Sequence, residues 1–192
     1  MLIPPKLVAA GLLAALLSPL PSVAAGKHAH HDHGPTAAHV HGAATMDVAV
    51  DGNDITFELS TPLDNLVGFE RAPRTDAERE RFASAIGKLR DANAMFSFDA
   101  SAGCVAGPVT LSSPLLSPDG TVANAPASHA DPHADLQASY TFRCADASRV
   151  RHVDVGLFGF AHLRSVAVQA STPGGQFKRQ LKRPTRRLPL VR

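Results

Sequence analysis

From Ala43 onward, apolar and polar residues alternate in two successive runs. Met46, Val48 and Val50 alternate with Asp47, Ala49 and Asp51; Ile55, Phe57 and Leu59 then alternate with Asp54, Thr56, Glu58 and Ser60. A period of two belongs to a strand with one buried face, so the spacing predicts two strands joined through the turn-forming Asp51-Gly52-Asn53. The period then lengthens. Phe82, Ile86 and Leu89, at spacings of four and three, make one stripe of a helix, with Arg79, Glu80, Arg81 and Lys88 outside it. Thr75 is placed to cap its start, with Glu78 reaching back as the acidic partner of a capping box, and Asp91-Ala92-Asn93 should end it. Met95, Phe96 and Phe98 read as a short strand. Val105 to Leu111 is a further strand candidate, weakened by Gly107 and Pro108.

Ser112 to Pro132 is rich in Ser, Pro, Ala and Gly and reads as a long surface connection. Alternation returns beyond it. Leu136, Ala138, Tyr140 and Phe142 alternate with polar neighbours up to Cys144, and Val153, Val155 and Leu157 alternate again. Phe158 to Leu163 has room for a short helical turn, and Val166, Ala167 and Val168 begin another strand. Thr172-Pro173-Gly174-Gly175 is a turn signal before a last strand from Gln176 to Leu181. The fold class expected is α+β, mainly antiparallel β with a few helices. Each part reads as two strands, a helical connection and two more strands, which invites the reading of two pseudo-symmetric β-rich halves sharing one core.

The first 25 residues have the order of a secretory signal: Lys6, an apolar run from Leu7 to Leu17, a breaker at Ser18-Pro19-Leu20-Pro21, then small residues at Val23-Ala24-Ala25. An apolar run of about 11 residues is short for a hydrocarbon core of roughly 30 Å, so cleavage after Ala25 is expected rather than a membrane anchor. The division is then 1–25 signal peptide, 26–42 histidine-rich flexible arm, 43–112 first half, 113–133 linker and 134–192 second half. Export puts Cys104 and Cys144 where thiols are oxidised, so a disulfide between them is expected; the alternative is a pair of soft metal ligands or a redox couple, but a CxxC arrangement is missing.

Composition narrows the partners. Trp is absent, Tyr occurs once and the formal charge is +2, which argues against stacking platforms or a strong field for nucleic acid. Histidine is the exception to an ordinary surface. His28, His30, His31, His33, His39 and His41 crowd the segment from Gly26 to Gly42, with Asp32 among them. Neutral imidazoles are ligands for zinc, copper and nickel, and several on one arm can share or wrap ions. The competing readings are a solubility tail or a pH-sensitive segment. A second cluster alternates His129, Asp131, His133 and Asp135. In an extended chain such residues point to one side about 7 Å apart, so neighbouring pairs could converge on one ion; a polar linker is the alternative. His41 and His133 each come just before the first strand of a half. His152 and His162 are isolated and read as structural.

No enzyme is expected: HExxH, a GxSxG elbow and a phosphate-binding glycine loop are all missing from the sequence. The C-terminal Lys178, Arg179, Lys182, Arg183, Arg186, Arg187 and Arg192 read first as a solvated sheet edge, with binding of an anionic lipid or partner as the alternative.

Asp47-Val48-Ala49-Val50-Asp51-Gly52-Asn53, Pro62-Leu63-Asp64-Asn65-Leu66-Val67-Gly68-Phe69-Glu70, Gly103-Cys104, Ser139-Tyr140-Thr141-Phe142-Arg143-Cys144-Ala145-Asp146 and Thr172-Pro173-Gly174-Gly175-Gln176 together resemble the ZrgA-type periplasmic zinc-uptake proteins. The resemblance covers nearly the whole chain after the signal. It implies a periplasmic accessory that binds Zn2+ and assists uptake by an importer or its periplasmic binding protein. Relatives often carry a longer central His/Asp run than the one here. The alternative function is sequestration or detoxification of Cu2+ or Ni2+ without an uptake role, because copper binds such sites tightly whatever the physiological metal.

Overall fold

The computed structural model describes residues 40–117, 121–123 and 134–191, all within one compact unit spanning Thr36–Arg192. The two alternating runs near the start form β1 (Ala43–Asp51) and β2 (Asp54–Pro62), paired antiparallel. Both turn inward on alternate positions: Met46 and Val48 on β1, Ile55, Phe57 and Leu59 on β2, each nearly or fully buried. The chain then makes a one-turn helix α1 (Asp64–Val67), a longer helix α2 (Asp76–Arg90), a second one-turn helix α3 (Ala92–Met95), and strands β3 (Phe96–Phe98) and β4 (Val105–Ser112). After the central connection come β5 (Asp135–Arg143), β6 (His152–Val155), β7 (Ser165–Thr172), β8 (Gly175–Lys182) and β9 (Arg187–Pro189).

Six of these strands make one sheet in the order β4-β5-β2-β1-β7-β8, and β3-β6-β9 make a second. Every neighbouring pair is antiparallel except β1 with β7. The two parts of the sequence are interleaved rather than laid side by side: β5 inserts between β4 and β2, so both parts complete the same sheet. The inner face of the large sheet meets the small one through aromatic rings. Phe57 of β2 stacks on Phe96 of β3 at 3.9 Å between centroids, and Phe96 meets the edge of Tyr140 of β5 at 5.0 Å. Such pairs add to the burial of their area, which is the main favourable term in the core. Helix α2 contributes Phe82, Ala85, Ile86 and Leu89 to the same cluster.

The capping reading holds at Thr75, whose hydroxyl accepts the Glu78 N–H at 3.2 Å. The Glu78 carboxylate reaches further back than the cap itself, to the Arg74 N–H at 2.6 Å and to both terminal nitrogens of Arg71. Gly107 and Pro108 do not abolish β4. They fall where its register against β5 shifts, between Ala106 and Val109, on the edge of the sheet where a residue lacking an N–H is tolerated. The 153–157 alternation is cut short: β6 ends at Val155, and Leu157 lies in a 3-10 turn, Gly156–Gly159. Gly156 makes that turn possible, since a Cβ there would fall 2.0 Å from the Ala94 carbonyl oxygen. The expected disulfide is present: Cys104 and Cys144 are joined at 2.04 Å, just before β4 and just after β5.

Candidate metal centre

Sheet order decides which parts of the sequence meet. β1 and β5 both run antiparallel to β2, on its two sides, so both begin at the end where β2 finishes. β7, parallel to β1, also begins there. The pairing Thr45↔Ser60 continues to set Ala43 level with Pro62, and Pro62 pairs with Asp135. The starts of β1 and β5 are therefore two strand spacings apart, roughly 10 Å. The chain before residue 40 and the chain before residue 134 join the described structure at this one end.

A short corner after β2 holds the junction. Asn65, on α1, is fully buried. Its Oδ1 accepts the Gly42 N–H, and its Nδ2 donates to the Ala43 carbonyl at 2.7 Å and to the Thr61 hydroxyl at 3.0 Å. A buried amide so satisfied fixes the start of β1 against the end of β2. On the other side of the corner the Leu63 N–H donates to the Ala134 carbonyl at 2.9 Å. Gly42 has φ +85°, and its carbonyl accepts from Arg164 at 2.8 Å and Ser165 at 2.9 Å. A Cβ there would lie 3.2 Å from the Arg164 side chain as well as straining the backbone, so glycine suits the position on both counts.

This corner places charged groups around His41. Its Nε2 is 3.2 Å from Glu70 Oε1 and its Nδ1 is 3.7 Å from Asp64 Oδ2. The imidazole is 60% exposed, whereas the Glu70 side chain is 8% exposed. Asp64 opens α1, and the chain turns after it at Gly68, whose left-handed φ of +83° lets its N–H close onto the Asp64 carbonyl at 2.8 Å. The His162 ring lies against this turn: a Cβ on Gly68 would come within 3.2 Å of its Nε2. Arg71, next to Glu70, is turned toward α2 by its two-pronged pair with Glu78, at 2.7 and 2.9 Å. That pair, with the Arg74 N–H, draws the Glu78 carboxyl down from 4.5 to about 2.

Of the sequence-derived ligand candidates, His41 and Asp135 are brought to the same end of the sheet, on either side of β2. Asp135 is the first residue of β5 and is half-buried. His28, His30, His31, His33, His39, His129, Asp131 and His133 lie outside the described residues. His152 stands apart at the start of β6, 3.7 Å from Asp99. Among the described residues no three or more His, Cys, Asp and Glu side chains are gathered so that they could together hold a metal ion. A groove of about 460 Å³ on the outer face of the large sheet, lined by Asp47, Glu58, Gln169, Phe177 and Lys178 among others, lies toward the far ends of β1 and β7; its lining contains no His or Cys.

The model of the ZrgA family zinc uptake protein matches residues 38–190, which takes in every strand and helix above. The chain belongs to the ZrgA family. Among curated proteins none matches it. For a ZrgA-family protein the donor chemistry at the corner after β2 is suitable: imidazole nitrogen and carboxylate oxygen both ligate zinc. Asp64, Asn65 and Glu70 were not singled out from the sequence as functional. The only signal was the segment Pro62–Glu70, which carries the resemblance to the family and holds all three.

Proposed function

We propose that the protein is a periplasmic zinc-binding accessory, exported by its N-terminal signal and without catalytic activity. It captures Zn2+ on its histidines and hands the ion to an importer or to that importer's periplasmic binding protein. Membership of a zinc uptake family supports the cargo and the direction of transport. The observation that carries the mechanism is topological: the two histidine-bearing stretches join the folded unit at one end of the sheet, on both sides of β2, beside His41, Asp64 and Glu70. Ions loosely held by several imidazoles exchange readily, which suits capture followed by hand-over. Among the described residues no helix is long and apolar enough to cross a membrane.

The test is a calorimetric titration with Zn2+ of the chain from residue 26 onward, repeated with residues 26–39 deleted and with His129 and His133 replaced by Asn. Each change should lower the number of ions bound. Unchanged stoichiometry and affinity after both would overturn the reading. Transcription of the gene under zinc starvation is the companion measurement. Induction by copper or nickel excess instead would favour sequestration.

A further inference from the structure

We infer that His41 and Glu70 are two direct ligands of a single zinc ion at the corner after β2, with Asp64 orienting the imidazole from behind. The inference rests on the zinc-capture reading and names a site for it on the folded unit itself. Three observations converge. First, the separation fits. Zinc holds imidazole nitrogen and carboxylate oxygen at about 2.0 to 2.2 Å, which at tetrahedral angles puts the two donor atoms about 3.3 Å apart; His41 Nε2 and Glu70 Oε1 are 3.2 Å apart. Second, the other ring nitrogen faces a carboxylate: Asp64 Oδ2 is 3.7 Å from Nδ1. A carboxylate behind a ligating histidine favours the proton on Nδ1 and so directs the Nε2 lone pair at the ion. Third, the donors are unequally exposed. Glu70 is held at 8% exposure while His41 is 60% exposed, so an ion there would have a fixed inner wall and an open outer side.

The backbone around the pair is set in advance. Asn65 fixes Gly42, next to His41, and Gly68 turns the chain toward Glu70. Two donors on a preorganised frame need little reordering to bind, which offsets some of the weakness of a site with only two protein ligands. The remaining coordination positions face solvent, where water or an incoming ligand can occupy them. Such an open site leaves room for a receiving protein's ligand to join the ion.

The test uses the full chain after the signal, with His28, His30, His31, His33, His39, His129 and His133 replaced by Asn, which leaves His41, His152 and His162 of the ten histidines. Zn2+ titration of this variant should show about one ion bound, and X-ray absorption at the zinc edge should show a single imidazole with oxygen ligands. Adding His41→Ala or Glu70→Gln should abolish that ion, and Asp64→Asn should weaken it roughly tenfold. Because Glu70 is buried, thermal melts accompany each variant; the exposed His41 gives a substitution that leaves the fold intact. Binding that persists after both His41→Ala and Glu70→Gln overturns the site, as does a variant that binds no zinc although the parent chain does; in the second case capture by the histidine-rich stretches stands. A parent chain that binds no zinc overturns both readings.

Discussion

The two ends of the six-stranded sheet are closed by different means. At one end, β1 turns into β2 and β7 into β8 through tight connections, and the Cys104–Cys144 bond straps β4 to β5. Asn53 adds hydrogen bonds there: its carbonyl accepts from Cys144 at 2.8 Å and its side chain accepts from Ala147 at 3.3 Å. At the other end three strands begin, and the closing element is the buried Asn65 amide. An asparagine thus stands at each end, but only one end is fixed covalently. The amide clamp of Asn65 fixes the backbone from which His41, Asp64 and Glu70 project.

Mutation can separate the two ends. Replacing both cysteines by Ala should have the largest effect on stability, about 4 kcal/mol for a loop of this length on the chain-entropy view. It should leave zinc stoichiometry unchanged, as read by urea unfolding beside metal titration. Asn65→Ala should cost less, about 3 kcal/mol, because the Gly42 N–H, the Ala43 carbonyl and the Thr61 hydroxyl lose a buried partner. That smaller loss of stability should nevertheless weaken zinc at His41. If the cysteine variant lost zinc and the Asn65 variant kept it, the assignment of roles to the two ends would be reversed.

Strands with one buried face were legible because alternation over five or more residues has no other simple cause; β1, β2 and β5 were read for that reason. Elements of three or four residues carry at most one repeat of a period: Phe96 and Phe98 suffice to mark β3, but a strand with one apolar residue or a single helical turn shows none. β9, with Leu188 as its buried contact, and α1, with its buried Asn65, were therefore invisible. The interleaving of β5 between β4 and β2 was also out of reach, since alternation reports which face is buried and not which strand is next door. At the site, histidine density pointed to His41, but Asp64 and Glu70 lie far along the chain, in a turn where acidic residues ordinarily face water. They matter because Asn65 draws Gly42 onto the same corner, and a buried amide in a loop has no signature in sequence.

The middle of the sheet offers a control that touches neither end. Tyr140 is buried with its ring against Phe96, and its hydroxyl has no hydrogen-bond partner among the described residues. Burial pushes its ionisation well above the ordinary phenol range. Tyr140→Phe should therefore stabilise the protein, by about 1 kcal/mol, since it removes an unsatisfied buried group while keeping the ring. Zinc binding should not change. A loss of stability on this substitution would mean that the hydroxyl is used.

The solvent side of the corner contributes least to stability. Glu78 holds Arg71, the residue after Glu70, and its carboxyl lies at about 2 in the folded protein against an ordinary 4.5. Between those values the unfolded chain binds the proton more readily, so stability from this pair is fully present above pH 4.5 and is lost as pH falls toward 2. Glu78→Gln should flatten that part of the urea-midpoint profile and leave the profile unchanged in shape above it. Asp146, lowered by Ser148 and Arg149 near the disulfide, supplies the counterpart at the other end. Its acid response should persist in Glu78→Gln and disappear in Asp146→Asn. Because the pair around Glu78 is still partly open to solvent, its contribution is small and should shrink further in high salt. The buried Asn65 clamp should keep its effect there, so salt separates what the corner owes to charge from what it owes to the amide.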